Sequence, residues 1–211
     1  NIYYLSGYNA WSFYTPQALF VPLQGDPVLA MREMDARGAH RTAALYADTV
    51  LAYPETLVHR PDAHPFEWIG ERIRDLGSLE GASPRIGIEG DSHFFSVRGY
   101  LALVSTLSHC VFVDSHELVN WVRLIKSPRE IEFMRSAGVV ASHAMREARA
   151  ALQPGTPLNE IAAVVQAAQA HGVDGVDGDY PAIVPMFPRG EGADTPHLTW
   201  TSDRIEPGEA V

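Results

Sequence analysis

The segment from Gly178 to Trp200, GDYPAIVPMFPRGEGADTPHLTW, contains the side chain best suited to catalysis. Its four prolines fix φ and remove amide donors, so no α-helix can run through it: Pro181, Pro185, Pro188 and Pro196. A stiff loop that ends on His197 positions an imidazole at low entropic cost. A neutral imidazole accepts a proton from an attacking water or returns one to a leaving nitrogen near pH 7. His197 is therefore the candidate catalytic residue, and a hydrogen-bonded loop histidine is the alternative interpretation.

Three aromatic residues near the start of the chain, Trp11, Phe13 and Tyr14, form a second candidate site. In an extended segment, Trp11 and Phe13 would face one side of the backbone and Tyr14 the other. Aromatic faces attract a cationic ring, an interaction of roughly 0.5–2 kcal/mol depending on desolvation. The sequence predicts a ligand-binding surface here, and an ordinary hydrophobic core is the alternative.

Three stretches of the chain resemble the creatinase/prolidase/methionine-aminopeptidase family, whose catalytic domain has the pita-bread fold. They are Ile2 to Tyr14, then KSPREIEFMR from Lys126 with LQPGT from Leu152, and lastly GDYPAIVP with HLTW. The stretches follow the order of the family and span the chain from end to end. Within the family they are most similar to the metal-independent branch that includes creatinase and ectoine hydrolase.

The resemblance implies roles for particular residues. His197 matches the family histidine that lies against the scissile bond, and Trp11, Phe13 and Tyr14 match a loop that reaches the partner subunit's active site in creatinase-like dimers. Tyr180 and Trp200 flank the proline-rich loop and are predicted to contact substrate as well, although Trp200 could equally pack beneath the loop. Creatinase has a substrate-gripping arginine near the position of Thr15, so this chain suits a different small zwitterion.

The function implied by the resemblance is hydrolysis of a non-peptide C–N bond in a small zwitterion, with ectoine ring opening to N-acetyl-diaminobutyrate as the leading expectation. The enzyme is expected to be a homodimer, and no cofactor is visible in the sequence. One alternative is a Xaa-Pro peptidase that uses a divalent metal pair, with its ligands beyond Val211. Another is a pita-bread module that binds without catalysis. About half of the catalytic domain is expected beyond Val211, so the fragment alone is expected to be inactive.

Composition excludes several other classes of protein. The 211 residues carry a formal net charge of -10, and the 16 Lys and Arg residues are scattered, which argues against a nucleic-acid or anionic-membrane partner. No apolar run approaches the roughly 18 residues of a membrane span. Cys110 is the only cysteine, so a reducing cytoplasm is expected, and its Cys-Val-Phe-Val context predicts a buried strand. The histidines outside the loop show no paired metal-ligand spacing.

The predicted elements place these residues in two domains. Residues 1–122 alternate strands and helices and predict an α/β domain with a mixed sheet, including a hairpin around Gln24-Gly-Asp-Pro and an extended run at the amino terminus. Residues 123–211 are predicted to be the first part of an α+β pita-bread catalytic domain. Ser127, Pro128 and Glu130 form a capping box, and the helix that follows is expected to bury Met134 and Met145 in a core.

Overall fold

The predicted hairpin is the start of a three-stranded sheet in the computed structural model, which describes residues 1–211. Strand β1 (Ala18–Phe20) pairs antiparallel with β2 (Val28–Arg32), and β2 pairs parallel with β3 (Val50–Tyr53). Helix α2 (Glu33–Thr42) makes the crossover between the two parallel strands. The hairpin is confirmed, and β3 ends directly before Pro54.

A second parallel pair completes the sheets of this half of the chain. Strands β4 (Arg85–Ile88) and β5 (Val111–Asp114) are joined through α4 (Val97–Thr106). Helix α3 (Pro65–Asp75) precedes them, and α5 (Leu118–Leu124) follows. These elements form one compact unit, residues 1–124, and residues 125–211 form a second.

The start of the chain differs from the prediction of an extended run. Residues Ile2–Ser6 form the short helix α1, which ends at Gly7 with φ at 73° and the Gly7 amide bonded to the Tyr3 carbonyl. The aromatic and β-branched side chains matched strand propensity, but the left-handed Gly7 closes a helical turn instead. Ser6 is buried and donates its hydroxyl to the carbonyl of Ile2, which holds that turn.

Helices α3 and α4 pack closely because glycine lies at their contact. An added Cβ at Gly99 would be 2.9 Å from the ring of Phe66, and one at Gly70 would be 3.0 Å from Thr106. Phe66 belongs to the main core of this unit, with fully buried Ile69 and Leu107. Close approach of the two helices therefore requires residues without side chains at these points.

The second unit is built on two packed helices. Helix α6 (Pro128–Ala151) begins with the predicted capping box: Ser127 and Glu130 each bond the other's backbone amide. Helix α7 (Leu158–His171) buries Leu158 and Ile161 against Ala144 and Ala148 of α6. The rest of this unit contains no strand, only isolated bridges and a 3₁₀ turn at Gly190–Asp194.

The prediction that Met134 and Met145 lie in a core is wrong for this chain. Their side chains are 56% and 68% exposed, because the face of α6 turned toward α7 is the one with Ala144 and Ala148. Small side chains on that face let the helices approach, and the methionines lie on other faces. Gly138 of the same helix also makes no close packing contact, since nothing lies within 4 Å of a Cβ added there.

The α/β class with a mixed sheet and covering helices is confirmed. No helix of the structure has the length and apolar composition needed to cross a membrane.

The start of α3 is capped by a histidine. The Nδ1 atom of His64 accepts a hydrogen bond from the amide of Phe66 at 3.2 Å, and its ring stacks on Phe66 at 5.6 Å. Burial lowers the pKa of His64, and the nearby guanidinium of Arg98 lowers it further. The neutral ring is therefore the form that caps the helix.

A first prediction concerns the α3–α4 contact. Gly99→Ala should lower the free energy of unfolding by about 1 kcal/mol, because overpacking of about 1–3 kcal/mol outweighs the gain of about 1 kcal/mol in helix propensity. Urea unfolding followed by circular dichroism measures this. The control is Gly90→Ala, where the added Cβ meets nothing within 4 Å and little change is expected. Equal stability of the two variants would contradict the packing account.

A second prediction concerns pH. Because the folded-state pKa of His64 lies below the unfolded value of about 6.5, the unfolded chain binds the proton first as the pH falls. Stability is therefore complete above about pH 6.5 and decreases as the pH drops toward the folded-state pKa. His64→Asn keeps an acceptor for the Phe66 amide but cannot be protonated in this pH range. The thermal unfolding midpoint of this variant should therefore decrease less than that of the unaltered protein as the pH falls below about 6.5. His59→Asn, at an exposed histidine, should leave the slope unchanged.

Candidate active site

The predicted aromatic residues lie together on one turn, which we call the aromatic turn (residues 11–15). The ring centroids of Trp11 and Phe13 are 5.0 Å apart, those of Trp11 and Tyr14 5.9 Å, and those of Phe13 and Tyr14 6.0 Å. The expected alternation of Trp11 and Phe13 against Tyr14 is wrong, because the backbone turns here and the Thr15 amide bonds the Ser12 carbonyl at 3.1 Å. All three rings therefore contribute to a single surface.

Most of this aromatic surface faces solvent. Trp11 is 63% exposed and Tyr14 52% exposed, whereas Phe13 is half-buried. These exposures do not fit the alternative of an ordinary hydrophobic core. Clustered exposed aromatic rings are typical of surfaces that bind a ligand or another protein.

A fourth ring, which sequence reasoning missed, extends the surface. Phe94 lies 4.8 Å from Phe13 between ring centroids and is 60% exposed. Helix α4 starts only at Val97, where the Ser96 hydroxyl accepts from the Gly99 amide. Phe94 therefore lies in the turn before the helix. Only the tertiary fold brings it to Phe13, so no local pattern could have identified it.

Buried polar contacts support the aromatic turn from behind. The hydroxyl of Tyr8 lies 2.8 Å from the Ser12 hydroxyl, which donates to Gln17 at 3.1 Å. Tyr8 and Ser12 are both buried, and burial is the main reason that the pKa of Tyr8 is raised. Tyr53, at the end of β3, donates its hydroxyl to the Pro16 carbonyl at 2.7 Å. The turn is thus anchored on both sides of its rings.

An ion pair adjoins the same turn. The Nε atom of Arg32, at the end of β2, lies 2.7 Å from the carboxylate of Asp35 in the first turn of α2. Each side chain is only 13% exposed, and the hydrogen bond to Asp35 raises the pKa of Arg32. The Arg32 guanidinium carbon lies 5.8 Å from the centroid of the Tyr14 ring. A permanent charge therefore borders the exposed aromatic surface.

The loop that carries His197 is held at its middle and just beyond its end. Midway along it, Arg189 forms a 2.6 Å ion pair with Glu209, and the Gly190 amide bonds the Ala210 carbonyl. After the loop, the carbonyls of Thr201 and Asp203 accept from two amides in the first turn of α7, Asn159 and Leu158. These bonds satisfy helix-terminal donors that lack intrahelical partners. The loop is therefore fixed to the helical core of its unit.

His197 lies in a turn of this loop and is exposed, with φ at 71°. A non-glycine residue in the left-handed region is uncommon, although histidine is among the types enriched there. A concave surface of about 310 Å³ in this unit is lined by Leu152, Pro154, Ile205, Glu206, Gly208, Glu209 and Val211, and not by His197. The catalytic role of His197 stays a prediction.

Two further residues were predicted to contact substrate. Tyr180 is 53% exposed and its amide bonds the side chain of Asp179 at 2.8 Å. Trp200 is half-buried and packs against the core of the α6–α7 pair. Trp200 thus packs on the helical core of this unit, and its contact with substrate stays a prediction.

Residues 1–211 do not form a metal centre. No three His, Cys, Asp or Glu side chains among them lie close enough together to hold a metal ion. Cys110 lies just before β5, where it is half-buried against the main core and burial raises the pKa of its thiol. The residues present thus do not fit a bound metal.

The sequence is similar to those of curated proteins. It is 39% identical to an ectoine hydrolase of Halomonas elongata, in an alignment covering 100% of this chain and 54% of that protein. It is 37% identical to an uncharacterized hydrolase/peptidase of Sinorhizobium fredii, covering 98% of this chain and 52% of the relative. The chain thus spans about half the length of the curated relatives it matches.

The fold is similar to those of solved prolidases. A prolidase from Thermococcus sibiricus superposes with a TM-score of 0.75 at 16% identity, over 99% of this chain and 52% of that one. A prolidase from Pyrococcus furiosus gives a TM-score of 0.67 at 22% identity, over 99% of this chain and 56% of that one. These similarities confirm the predicted architecture of an amino-terminal domain followed by the start of a pita-bread domain.

Two family models match successive parts of the sequence. The Creatinase/Prolidase N-terminal domain matches residues 1–125, and Metallopeptidase family M24 matches residues 132–211. The first match alone covers more than half of the chain. The chain belongs to the creatinase/prolidase family.

Proposed function

We propose that the protein is a hydrolase that opens the ring of ectoine, a small zwitterion, to give N-acetyl-diaminobutyrate. The observation that carries the proposal is the 39% identity to an ectoine hydrolase along the whole chain. The exposed rings of the aromatic turn support it, because a cationic amidinium ring is a ligand that aromatic faces attract.

The reaction consumes one water molecule. The water oxygen forms a bond to the amidine carbon of the ring, one C–N bond of that carbon breaks, and both water protons end on the leaving nitrogen. The positive charge of the amidinium thereby becomes that of an ammonium group. In this proposal the imidazole of His197 takes a proton from the attacking water and returns it to the leaving nitrogen.

We also propose that the protein acts as a homodimer in the cytoplasm. The loop that matches the aromatic turn reaches the partner subunit's active site in creatinase-like dimers, and exposure of Trp11 and Tyr14 is compatible with such a role. The substrate ring would then stack on the aromatic turn, with Tyr180 as a further contact and Trp200 supporting the loop from its packed position. The single cysteine supports a reducing compartment.

The match of residues 132–211 to Metallopeptidase family M24 favours a second candidate, a peptidase that cleaves Xaa-Pro bonds with a divalent metal pair. Residues 1–211 do not supply a set of ligands for such a pair, so this candidate requires ligands from outside them. Turnover of a Xaa-Pro dipeptide, abolished by a chelator, together with no turnover of ectoine, is the result expected for this candidate.

A third prediction tests His197. His197→Asn should lower kcat for ectoine ring opening by about 10²–10⁴-fold, because asparagine tolerates the left-handed backbone but cannot transfer a proton at neutral pH. The rate of product formation by the full-length protein, followed by proton NMR, measures the effect. A non-catalytic binding module would lose nothing by this change.

The control for His197 is His116→Asn. His116 is also exposed and also has a positive φ, 51°, so the same substitution meets a similar backbone. Its kcat should match that of the unaltered protein. An equal kcat for the two variants would show that His197 has no catalytic role.

A fourth prediction tests the aromatic turn. Trp11→Ala should raise KM for ectoine about two- to thirty-fold, which corresponds to the loss of one cation–π contact. Trp121→Ala is the matched control, since Trp121 is 67% exposed and Trp11 63%, but Trp121 lies on α5, outside the aromatic surface. Steady-state kinetics measure KM for ectoine in both variants. An equal KM for the two would show that Trp11 does not bind substrate.

A further inference from the structure

We propose that Asp35 is a positioning residue, which holds the aromatic turn in the arrangement that binds substrate. The proposal rests on the proposed function, since it assigns Asp35 to the same site. Asp35 lies in the first turn of α2 and was not singled out by any sequence pattern. Its effect on the substrate would be indirect, through Thr15 and Tyr14.

One carboxylate oxygen makes both of the relevant contacts. The Oδ2 atom of Asp35 lies 2.7 Å from Nε of Arg32 and 3.3 Å from the hydroxyl oxygen of Thr15. The Thr15 hydroxyl also lies 2.9 Å from the carbonyl of Ser12, so its single hydrogen is shared between two acceptors. The carboxylate is thus connected directly to the last residue of the aromatic turn.

The contact with Arg32 connects Asp35 to the ring of Tyr14. With its Nε held by Asp35, Arg32 directs Nη2 toward the hydroxyl of Tyr14, 3.5 Å away. The guanidinium also lies near the face of the Tyr14 ring. A guanidinium is planar, so fixing Nε fixes the direction of the other nitrogens. Asp35 therefore orients Tyr14 through Arg32 and the backbone of the turn through Thr15.

Burial makes these contacts stronger than those of an ordinary surface ion pair. Thr15 is 4% exposed, and the Arg32 and Asp35 side chains are 13% exposed. Exposed ion pairs contribute little because water screens them, whereas removing one partner of a shielded pair leaves an uncompensated charge. Trp11 and Tyr14 are themselves more than half exposed, so surrounding side chains enclose little of these two rings. The buried contacts beneath them are then the main constraint on the arrangement of the turn.

The test uses three substitutions in the full-length protein. Asp35→Asn preserves the shape of the side chain but removes the charge that holds Arg32. Thr15→Val removes the hydroxyl at nearly constant volume, and Thr15→Ser restores it. We expect a KM for ectoine raised about tenfold in Asp35→Asn and Thr15→Val, with kcat within about twofold of the unaltered protein, and a KM near the original in Thr15→Ser.

A double-mutant cycle distinguishes positioning from a general structural role. If Asp35 acts through Tyr14, Asp35→Asn should raise KM much less in a Tyr14→Leu background than in the unaltered protein. Asp62→Asn, which breaks the exposed Arg60 pair, is the control and should leave KM unchanged. An unchanged KM in Asp35→Asn, or effects of Asp35→Asn and Tyr14→Leu that multiply independently, would overturn the proposal.

The near-ultraviolet circular dichroism spectrum provides a readout that needs no substrate. It reports the packing of the aromatic rings, so Asp35→Asn should change it and Asp62→Asn should not. An unaltered protein that does not open ectoine would refute the proposed function. An unchanged spectrum in Asp35→Asn would instead refute the ordering of the turn by Asp35, whatever the substrate.

Discussion

The aromatic turn of the first unit depends on polar contacts buried beneath an exposed aromatic surface. Four rings, those of Trp11, Phe13, Tyr14 and Phe94, cluster together, three of them more than half exposed. A hydrophobic core would fix such rings by enclosing them, but here the turn is fixed from below by hydroxyl groups and one ion pair. Because the polar contacts lie beneath the rings, the turn remains ordered while the apolar faces of the rings stay available to a ligand.

In the second unit, the loop that carries His197 is also held in place without being enclosed in a hydrophobic core. Neither a strand nor an α-helix forms between Gly178 and Trp200, so the order of the loop comes from its prolines and from contacts at its middle and beyond its end. Arg189, midway along the loop, pairs with Glu209 in a later turn, and the segment after Trp200 bonds the first turn of α7. His197 therefore projects from a segment that is tied to a helical core, although the residue itself is exposed.

Local patterns predicted much of the fold. The Gln24-Gly-Asp-Pro turn and the capping box at Ser127 each depend on a few neighbouring residues, and both form as expected. The features that local patterns did not predict depend on contacts between residues that are distant in sequence. Met134 has the periodicity of a buried position but lies on a face that α7 does not cover, and Phe94 reaches Phe13 only through the tertiary fold. The support of the turn by Asp35 could not be predicted either, because an Arg-Asp pair three residues apart is usually an ordinary surface contact that contributes little.

The most direct test of the proposed chemistry is incubation of the full-length protein with ectoine, with and without added divalent metal, followed by proton NMR. A metal-independent ectoine hydrolase should convert the ring to one N-acetylated diaminobutyrate per water consumed, at a rate that does not depend on added metal. Ectoine that remains intact under both conditions would contradict it.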